Sequence, residues 1–342
     1  MKRARQMIRD AGVSLALVWG GLINSFLLID GIAPQALKPV IVLNHFAHWL
    51  LLLSVLVFAL AFTLGGRLRL LGWLVPGVVA FGAWYLPGYL PHSTPDGTGR
   101  EFTAATYNVL GHLADPDRTF AVIRAMDADF VALQELRPTL ESKLKTDLSD
   151  VYPYQVSKVI QGYDGLALIS RYPIVEYEIA FDEVDFSTPG WRDAPKYIRA
   201  VIDMDGQLLV AYAVHTMIPL PNIYIRPWYV VPFEYDDSHL QAHVQRIYDL
   251  VESETLPVLV LCDCNCTPRT RQHELLDRVL DDAFEESGWG LGLSHPVEPM
   301  PVFRIDYVWH TPQFAALDAK VWPDSGTSDH FPVWAWLVLH PA

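Results

Sequence analysis

The sequence predicts a layered α/β domain that follows an N-terminal membrane segment, and three observations support this prediction. The chain has 342 residues, enough for one large domain and an additional segment. The first 91 residues contain three long stretches that are almost free of charge. From Glu101 onward, short apolar runs alternate with amphipathic patterns, which is typical of strands alternating with helices. We therefore expect a transmembrane domain at 1–91, a linker at 92–100 and a globular domain at 101–342.

The membrane prediction depends on three stretches, Ala11–Ile29, Pro39–Gly66 and Leu70–Pro91. Each reaches the ~20 apolar residues that are needed to cross a bilayer core. Buried helices of a soluble protein are a poor alternative, because three such runs in succession would leave no polar face for water. We interpret the stretches as three transmembrane helices in contact with the lipid bilayer.

Basic residues predict the orientation of these helices. They form two groups, one before the first span and one between the second and third spans: Lys2, Arg3, Arg5, Arg9, Arg67 and Arg69. Because positive charge stays on the cytoplasmic side, everything after Pro91 is expected outside the cytoplasm. Cleavage of the first span as a signal peptide would leave the same result. The prediction is a multi-pass plasma-membrane protein with an extracytoplasmic domain.

The charge of the chain is unevenly distributed. The net charge is −14 for the whole chain. The first 91 residues carry seven Lys and Arg against two Asp, a net of +5, so the remainder carries −19. A domain this acidic repels polyanions, whereas proteins that bind nucleic acid usually have a basic surface. Nucleic acid is therefore a less favoured partner, although metal ions in a site can override the local field.

Three cysteines, Cys262, Cys264 and Cys266, alternate within five residues. Neighbours at i and i+2 on a strand point the same way but lie too far apart for an unstrained bridge. We therefore expect no disulfide. Small apolar side chains on the buried face of a strand are the simpler interpretation, and a metal–thiolate site is the alternative.

The globular region is predicted to contain eight strands and four helices. The strands are Phe102–Val109, Phe130–Leu136, Gly165–Ser170, Tyr197–Met204, Leu208–Thr216, Val258–Asp263, Arg304–His310 and Phe331–Leu339. The helices are Thr119–Met126, Thr139–Leu148, Ser238–Glu254 and Arg271–Leu280.

Polar side chains gather at the ends of these strands, where layered α/β folds usually build their sites. The candidates are Asn108, Glu135, His215, Asp263, Asn265, Asp306, Asp329 and His330. Singly, each has a structural alternative: Asn108, Asp263 and Asn265 suit turns, for example. His215 suits a core position and Glu135 suits the start of a helix. Their joint occurrence at strand ends favours a functional site.

This set of residue types suits hydrolysis at phosphorus. Carboxylate and amide oxygens are the ligands of Mg²⁺ or Mn²⁺, which share their coordination with phosphate. A histidine held by an aspartate is suited to activating water, because the aspartate fixes its tautomer. Amide and imidazole groups then donate hydrogen bonds to the phosphate oxygens.

The motifs TYNV, LQE, GLALISRYPI, VHT, LCDCN, RIDY and SDHFPV occur in the order seen in endonuclease/exonuclease/phosphatase proteins. The chain resembles this DNase I-like superfamily over about residues 102–340. The resemblance implies a four-layer sandwich of two packed mixed sheets flanked by helices, with the site at one edge of the sheets. It also implies a divalent-metal-dependent phosphoesterase.

The resemblance assigns a role to each candidate. Glu135, Asn108 and Asp329 resemble the metal-site residues. His215 resembles a histidine that contacts phosphate, and Asp263 with Asn265 resembles the pair that orients the nucleophile and binds phosphate. His330 resembles the catalytic histidine and Asp306 its orienting partner. In one departure, the usual Gly-Asp-Phe-Asn is Cys-Asp-Cys-Asn here, which keeps the Asp and the Asn.

The family motifs do not specify the substrate, which other features of the sequence indicate. The segment Met217–Tyr235 is rich in aromatic residues and suits either a lipid headgroup region or packing over the domain itself. The layout also resembles teicoplanin-resistance membrane proteins of the same family. These features favour a lipid-linked phosphodiester or pyrophosphate as substrate. An extracytoplasmic nuclease and a catalytically inactive receptor or scaffold are the alternatives.

Overall fold

The structure of the protein is a computed structural model that divides into two compact units. It describes residues 2–33, 37–92, 98–159, 165–181, 196–222, 225–226, 229–230 and 234–341. The first unit comprises Met1–Pro91 with Pro268–Thr270, and the second comprises His92–Thr267 with Arg271–Ala342.

In the first unit, the described residues form four α-helices and one short 3-10 helix. They are α1 (Lys2–Ile32), α2 (Lys38–His45), α3 (Ala47–Thr63), α4 (Leu68–Trp84) and the 3-10 helix Pro87–Tyr89. Small residues allow α1, α3 and α4 to pack closely, since a Cβ on Gly77 of α4 would lie 2.8 Å from the Ser54 side chain. Trp19 of α1 donates a hydrogen bond of 3.0 Å to the same Ser54.

The prediction of three membrane spans is wrong in its count. Among the described residues, one helix, Arg9–Ile32, is both long and apolar enough to cross a membrane by length and composition. The second predicted span is broken into α2 and α3, which bend by 75° around Phe46. The third is the shorter apolar helix α4, which has 17 residues and contains Pro76.

The described part of the second unit contains two six-stranded sheets and five helices. Its helices are α5 (Pro116–Met126), α6 (Pro138–Asp147), α7 (Ser238–Ser253), α8 (Arg271–Leu276) and α9 (Ala283–Ser287). Strands of the first sheet are β1 (Arg100–Asn108), β2 (Phe130–Leu136), β3 (Tyr154–Lys158), β4 (Gly165–Ser170), β15 (Phe314–Val321) and β16 (Val333–Leu339). Strands of the second sheet are β5 (Ile174–Ile179), β6 (Lys196–Met204), β7 (Gln207–His215), β12 (Val258–Asp263), β13 (Asp281–Asp282) and β14 (Asp306–His310). Short strands β8 (Leu220–Asn222), β9 (Ile225–Arg226), β10 (Tyr229–Val230) and β11 (Glu234–Asp236) pair in two ribbons.

Both sheets are mixed, as predicted. The first has the order β15-β16-β1-β2-β4-β3 and the second β13-β14-β12-β7-β6-β5. In each sheet the central pair, β1 with β2 and β7 with β12, is parallel, and the other pairs are antiparallel. Parallel central strands bring their C-terminal ends to the same edge of the sheet.

The four layers follow from strands that are apolar on both faces. On β12, Leu259 and Leu261 pack into the core between the sheets, while Val258 and Val260 pack under α7 and α8. On β1, Ala104 faces the core between the sheets and the next residue packs under α5 and α6. The arrangement is helices, sheet, sheet, helices, which confirms two packed mixed sheets flanked by helices.

Candidate active site

The register of the second sheet brings three predicted residues together. Asp263 is the last residue of β12 and pairs with His215 on the parallel strand β7 and with Asp306 on the antiparallel strand β14. Cross-strand partners project to the same face of a sheet, so the three side chains lie side by side. The His215 Nε2 atom is 3.5 Å from the Asp263 Oδ2 atom.

Asn108 links this group to the first sheet. It ends β1, and its Nδ2 atom donates to Asp263 Oδ2 at 3.0 Å and to Glu135 Oε1 at 3.1 Å. Its Oδ1 atom accepts the backbone N–H of Leu110 at 3.0 Å, which fixes the orientation of the amide. The Ser328 hydroxyl donates to the Asn108 carbonyl at 2.6 Å. The side chain of this buried residue is therefore fixed by its hydrogen bonds, and its bond to Asp263 joins the two sheets at the site.

A β-bulge delivers Glu135. The pairing of β2 with β4 shifts between Gln134 and Leu136, and Glu135 has a left-handed φ of 57°. Leu133 and Leu136 both pack under the helices of the first sheet, although an odd spacing places residues of a regular strand on opposite faces. The bulge absorbs one residue, which keeps Leu136 in the apolar layer and turns Glu135 towards Asn108.

His330 and Asp306 form a buried pair. The His330 Nδ1 atom donates to Asp306 Oδ2 at 2.9 Å, and the Ser294 hydroxyl donates to the same oxygen at 2.6 Å. Burial alone would lower the pKa of His330, but the carboxylates of Asp306 and Asp263 outweigh it and raise that pKa well above the usual value. The imidazolium form is thus stabilised at this position.

Burial shifts the pKa values of the two groups that face His330 in opposite directions. It raises the pKa of Asp263, and the neighbouring charge of Asp306 adds to this effect. It lowers the pKa of His215 well below 6.5, and Lys196 lowers it further. These shifts favour the neutral imidazole at His215 and the charged imidazole at His330, and both rings lie beside the carboxyl group of Asp263. Such perturbed groups in one cluster are typical of functional sites.

Asn265 lies just beyond β12 in a tight turn. Its backbone N–H donates to Asp263 Oδ1 at 3.1 Å, and its Nδ2 atom donates to the Thr216 carbonyl at 3.0 Å. Its φ of 47° is left-handed, which asparagine tolerates better than most residues. The turn places the Asn265 amide next to the strand end that carries His215.

Asp329 lies at the border of the site, and the residue beside it was missed by the sequence analysis. The Asp329 Oδ2 atom is 3.5 Å from the Nε2 atom of His295. The hydrogen-bonding contact with His295 lowers the pKa of Asp329 despite partial burial. The His295 ring also packs on the His330 ring, with 4.4 Å between centroids. His295 belongs to a connection without strand or helix periodicity, so no sequence pattern indicated it.

The donor groups fit a divalent cation such as Mg²⁺ or Mn²⁺. Asp306 Oδ1 and Asp329 Oδ1 are buried and have no hydrogen-bond partner within the described part of the chain. Buried polar atoms normally have a partner, and a cation satisfies carboxylate oxygens of this kind. His295, Asp329 and His330 each place one ligand atom within 4.8 Å of the others. Glu135 adds a carboxylate, so the set is rich in hard oxygen donors.

A second group of acidic and imidazole side chains, His273, Asp282 and Glu285, has a different character. The guanidinium of Arg304 forms ion pairs with both Asp282 and Glu285. A positive charge already neutralises these carboxylates, so this group is a structural ion-pair network.

Every residue that the sequence analysis selected lies at this one edge of the two sheets. Six of them are joined by direct contacts between side chains: Asn108, Glu135, His215, Asp263, Asp306 and His330. Asn265 joins them through its backbone, and Asp329 joins them through His295. The expectation about the cysteines is wrong, because Cys262 and Cys264 form a disulfide.

This fold and this set of side chains define a family. The endonuclease/exonuclease/phosphatase family model matches residues 105–330, and the chain belongs to that family. The protein YbhP of Escherichia coli strain K12 is 25% identical over 276 residues, which cover 70% of this chain and 97% of YbhP.

Solved structures share the fold. An endonuclease/exonuclease/phosphatase from Bacteroides vulgatus superposes with a TM-score of 0.56 at 18% identity, covering 70% of this chain and all of its own. The TDP2 protein of D. rerio, solved with a single-strand DNA product, gives a TM-score of 0.51 at 15% identity and covers 69% of this chain and 98% of its own. At such identities the likeness concerns the fold.

Proposed function

We propose that the protein is a membrane-anchored, divalent-metal-dependent phosphoesterase that hydrolyses a lipid-linked phosphodiester or pyrophosphate outside the cytoplasm. The observation that carries the enzymatic part is the convergence of Asp263, His330 and Asp306 with the Asn108–Glu135 pair. Hydrolysis at phosphorus uses all of these groups and is the chemistry typical of the family to which the chain belongs.

The role proposed for each residue is the one that the family resemblance implies, and the contacts of His330 and Asp263 support it. Glu135, Asn108 and Asp329 would hold Mg²⁺ or Mn²⁺, which neutralises phosphate charge and stabilises the leaving oxygen. His330 commits its Nδ1 atom to Asp306 and so presents Nε2 to exchange a proton with a reacting oxygen. Asp263, held by Asn108 and by the Asn265 backbone, orients the attacking water.

Donors for the phosphate oxygens complete the site. His215 is buried in its neutral form and therefore donates through one ring nitrogen only. Asn265 supplies an amide whose orientation the Thr216 carbonyl fixes. Donors that are fixed before the substrate arrives stabilise developing charge without a cost of reorganisation.

The lipid-linked substrate is supported by the anchor and by charge. The helix Arg9–Ile32 suits a membrane span, and the region after residue 91 carries −19, which disfavours a polyanion. The side chains of the aromatic segment 220–234 lie outside the described residues, so that segment contributes no structural support. The similarity in layout to teicoplanin-resistance membrane proteins is consistent with a cell-wall lipid carrier.

One set of assays tests this function. Full-length protein in detergent is incubated with undecaprenyl pyrophosphate, a phospholipid and plasmid DNA, each with Mg²⁺, Mn²⁺ or EDTA. We expect metal-dependent hydrolysis of a lipid substrate, with a loss of at least ~10²-fold in rate for Glu135→Ala, Asp263→Ala and His330→Ala. The exposed carboxylate variant Asp249→Asn is the matched control.

The outcomes separate the alternatives. Hydrolysis of DNA in preference to both lipids would replace the lipid-linked substrate with nucleic acid. Activity that persists in all three variants would refute the site. No hydrolysis under any condition, with correctly folded protein, would favour the inactive receptor or scaffold.

A further inference from the structure

The disulfide between Cys262 and Cys264 encloses Asp263, whose carboxylate contacts Asn108, Asn265 and His215. Both sulfur-bearing side chains are buried, with 0% and 1% of their surface exposed. They project into the apolar layer under α7 and α8, on the face opposite the carboxylate of Asp263. The third cysteine, Cys266, lies in the same layer and is not part of a disulfide.

The backbone is shortened at this point. The Cα atoms of Cys262 and Cys264 are 5.2 Å apart, whereas two residues of a regular strand span about 6.6 Å. The strand β12 ends at Asp263, and the Cys264 N–H donates to the Ile305 carbonyl at 2.9 Å beyond it. This contraction is what makes a bridge between residues i and i+2 possible, and it is the reason why the expectation of no disulfide is wrong.

The contracted segment determines where the Asp263 carboxylate lies. Its Oδ1 atom accepts the Asn265 N–H within a turn that has a left-handed residue, and its Oδ2 atom accepts the Asn108 amide. The disulfide restrains the backbone on both sides of Asp263. The turn is therefore already ordered when the carboxylate forms these two hydrogen bonds.

We propose that the Cys262–Cys264 disulfide is a covalent clamp that positions Asp263 for catalysis; this inference rests on the proposed function. A ring that closes over three residues removes little entropy from the unfolded chain, so the bridge adds little to global stability. Its effect is local, on the geometry of the site, where a misplacement of about 1 Å costs up to 10²-fold in rate. Cys262 and Cys264 are thus positioning residues.

The bridge forms by thiol–disulfide exchange with a small-molecule or protein disulfide. One cysteine thiolate attacks a sulfur of the donor and releases one thiol, and the second cysteine then attacks the mixed disulfide and releases the other. Both cysteine protons are lost, and the two electrons pass to the donor disulfide. Such bonds persist in oxidising compartments, in agreement with an extracytoplasmic domain. Because both sulfurs are buried, reductants have little access to the bond once the domain has folded.

The bond itself is tested first. Protein purified without reductant is unfolded in guanidinium, alkylated with iodoacetamide and analysed by mass spectrometry. We expect one labelled cysteine, Cys266, and a peptide with Cys262 and Cys264 that is lighter by two hydrogens than its reduced form. Three labelled cysteines would overturn the proposal.

The positioning role is tested with Cys262→Ala, Cys264→Ala and the double variant, with Cys266→Ala as the control from the same buried layer. We expect kcat on a phosphodiester to fall about 10-fold, with KM and the melting temperature nearly unchanged. The two single variants and the double variant should lose the same amount, because either substitution breaks the one bond. Losses that add, or a kcat equal to that of Cys266→Ala, would contradict a clamp.

The comparison of the cysteine variants also tests the positioning role if the protein is not a phosphoesterase. Should the wild-type protein hydrolyse no phosphoester, calorimetric binding of Mn²⁺ replaces kcat in the same comparison. Asp263 holds Asn108, and loss of such an outer contact typically weakens metal affinity 10- to 100-fold. Equal Mn²⁺ affinity in the double variant and in Cys266→Ala would overturn the positioning role.

Discussion

Individual side chains in the site are held by partners on two sides. His330 lies between Asp306, which accepts its Nδ1 proton, and the ring of His295, which packs on it at 4.4 Å. His295 in turn lies 3.5 Å from Asp329. His295 therefore contacts both the proposed catalytic histidine and a proposed metal ligand, and we expect it to position each of them.

Replacement of His295 tests this role. We expect His295→Ala to lower kcat about 10-fold and to weaken apparent Mn²⁺ affinity by about 10-fold, because Asp329 and His330 each lose an orienting neighbour. His295→Gln, which keeps a hydrogen-bond donor, should restore metal affinity more than kcat, since an amide does not replace the packed ring. His340→Ala is the control, because His340 hydrogen-bonds Thr98 before the start of β1, the end opposite Asn108. A purely structural role would lower the melting temperature and leave metal affinity intact.

At the scale of secondary structure, the bulge in β2 concentrates backbone strain at Glu135, a proposed metal ligand. Glu135 has a φ of 57°, a region that costs a non-glycine residue about 1 kcal/mol or more. The bulge keeps Leu136 in the apolar layer while Glu135 reaches Asn108. The positive φ of Glu135 is thus imposed by the bulge, against the intrinsic backbone preference of a non-glycine residue.

Two substitutions at Glu135 separate strain from chemistry. Glu135→Gly and Glu135→Ala both remove the carboxylate, so both should lose at least ~10²-fold in kcat. Glycine adopts a positive φ without penalty, so the Gly variant should be more stable than the Ala variant by about 1 kcal/mol. Urea unfolding followed by tryptophan fluorescence measures the difference. An Ala variant as stable as the Gly variant would show that the bulge is not strained.

The strands that carry the site could be predicted from sequence, because apolar runs followed by a polar residue are strong local signals. Strand β15, with the sequence FAALDAKV and a register shift at Ala316, was missed because its charged residues obscure the alternation. The bulge at Glu135 and the contraction at Asp263 depend on pairing with other strands. Local patterns contain no information about such pairing, and for this reason the disulfide was not foreseen.

At the scale of the whole molecule, the number of spans and the side of the membrane are separate questions. One helix, Arg9–Ile32, is long and apolar enough to span, while the broken α2–α3 pair and the 17-residue α4 are not continuous spans of that length. Basic residues lie in the first turns of α1 and again at Arg67 and Arg69, at the start of α4. If both groups lie in the cytoplasm, as the positive-inside rule predicts, an even number of crossings separates them, and the second unit lies outside only if α4 also crosses.

A tagged protein in spheroplasts tests this topology. With one epitope tag before Lys2 and another after the C-terminus, external protease should remove the C-terminal tag and leave the N-terminal tag intact. Permeabilised cells, in which both tags are cleaved, provide the control for accessibility. Replacing Arg67 and Arg69 with Glu should reduce this asymmetry if charge determines the orientation. Protection of the C-terminal tag in intact spheroplasts would place the second unit in the cytoplasm, where a reducing environment would also oppose the Cys262–Cys264 disulfide.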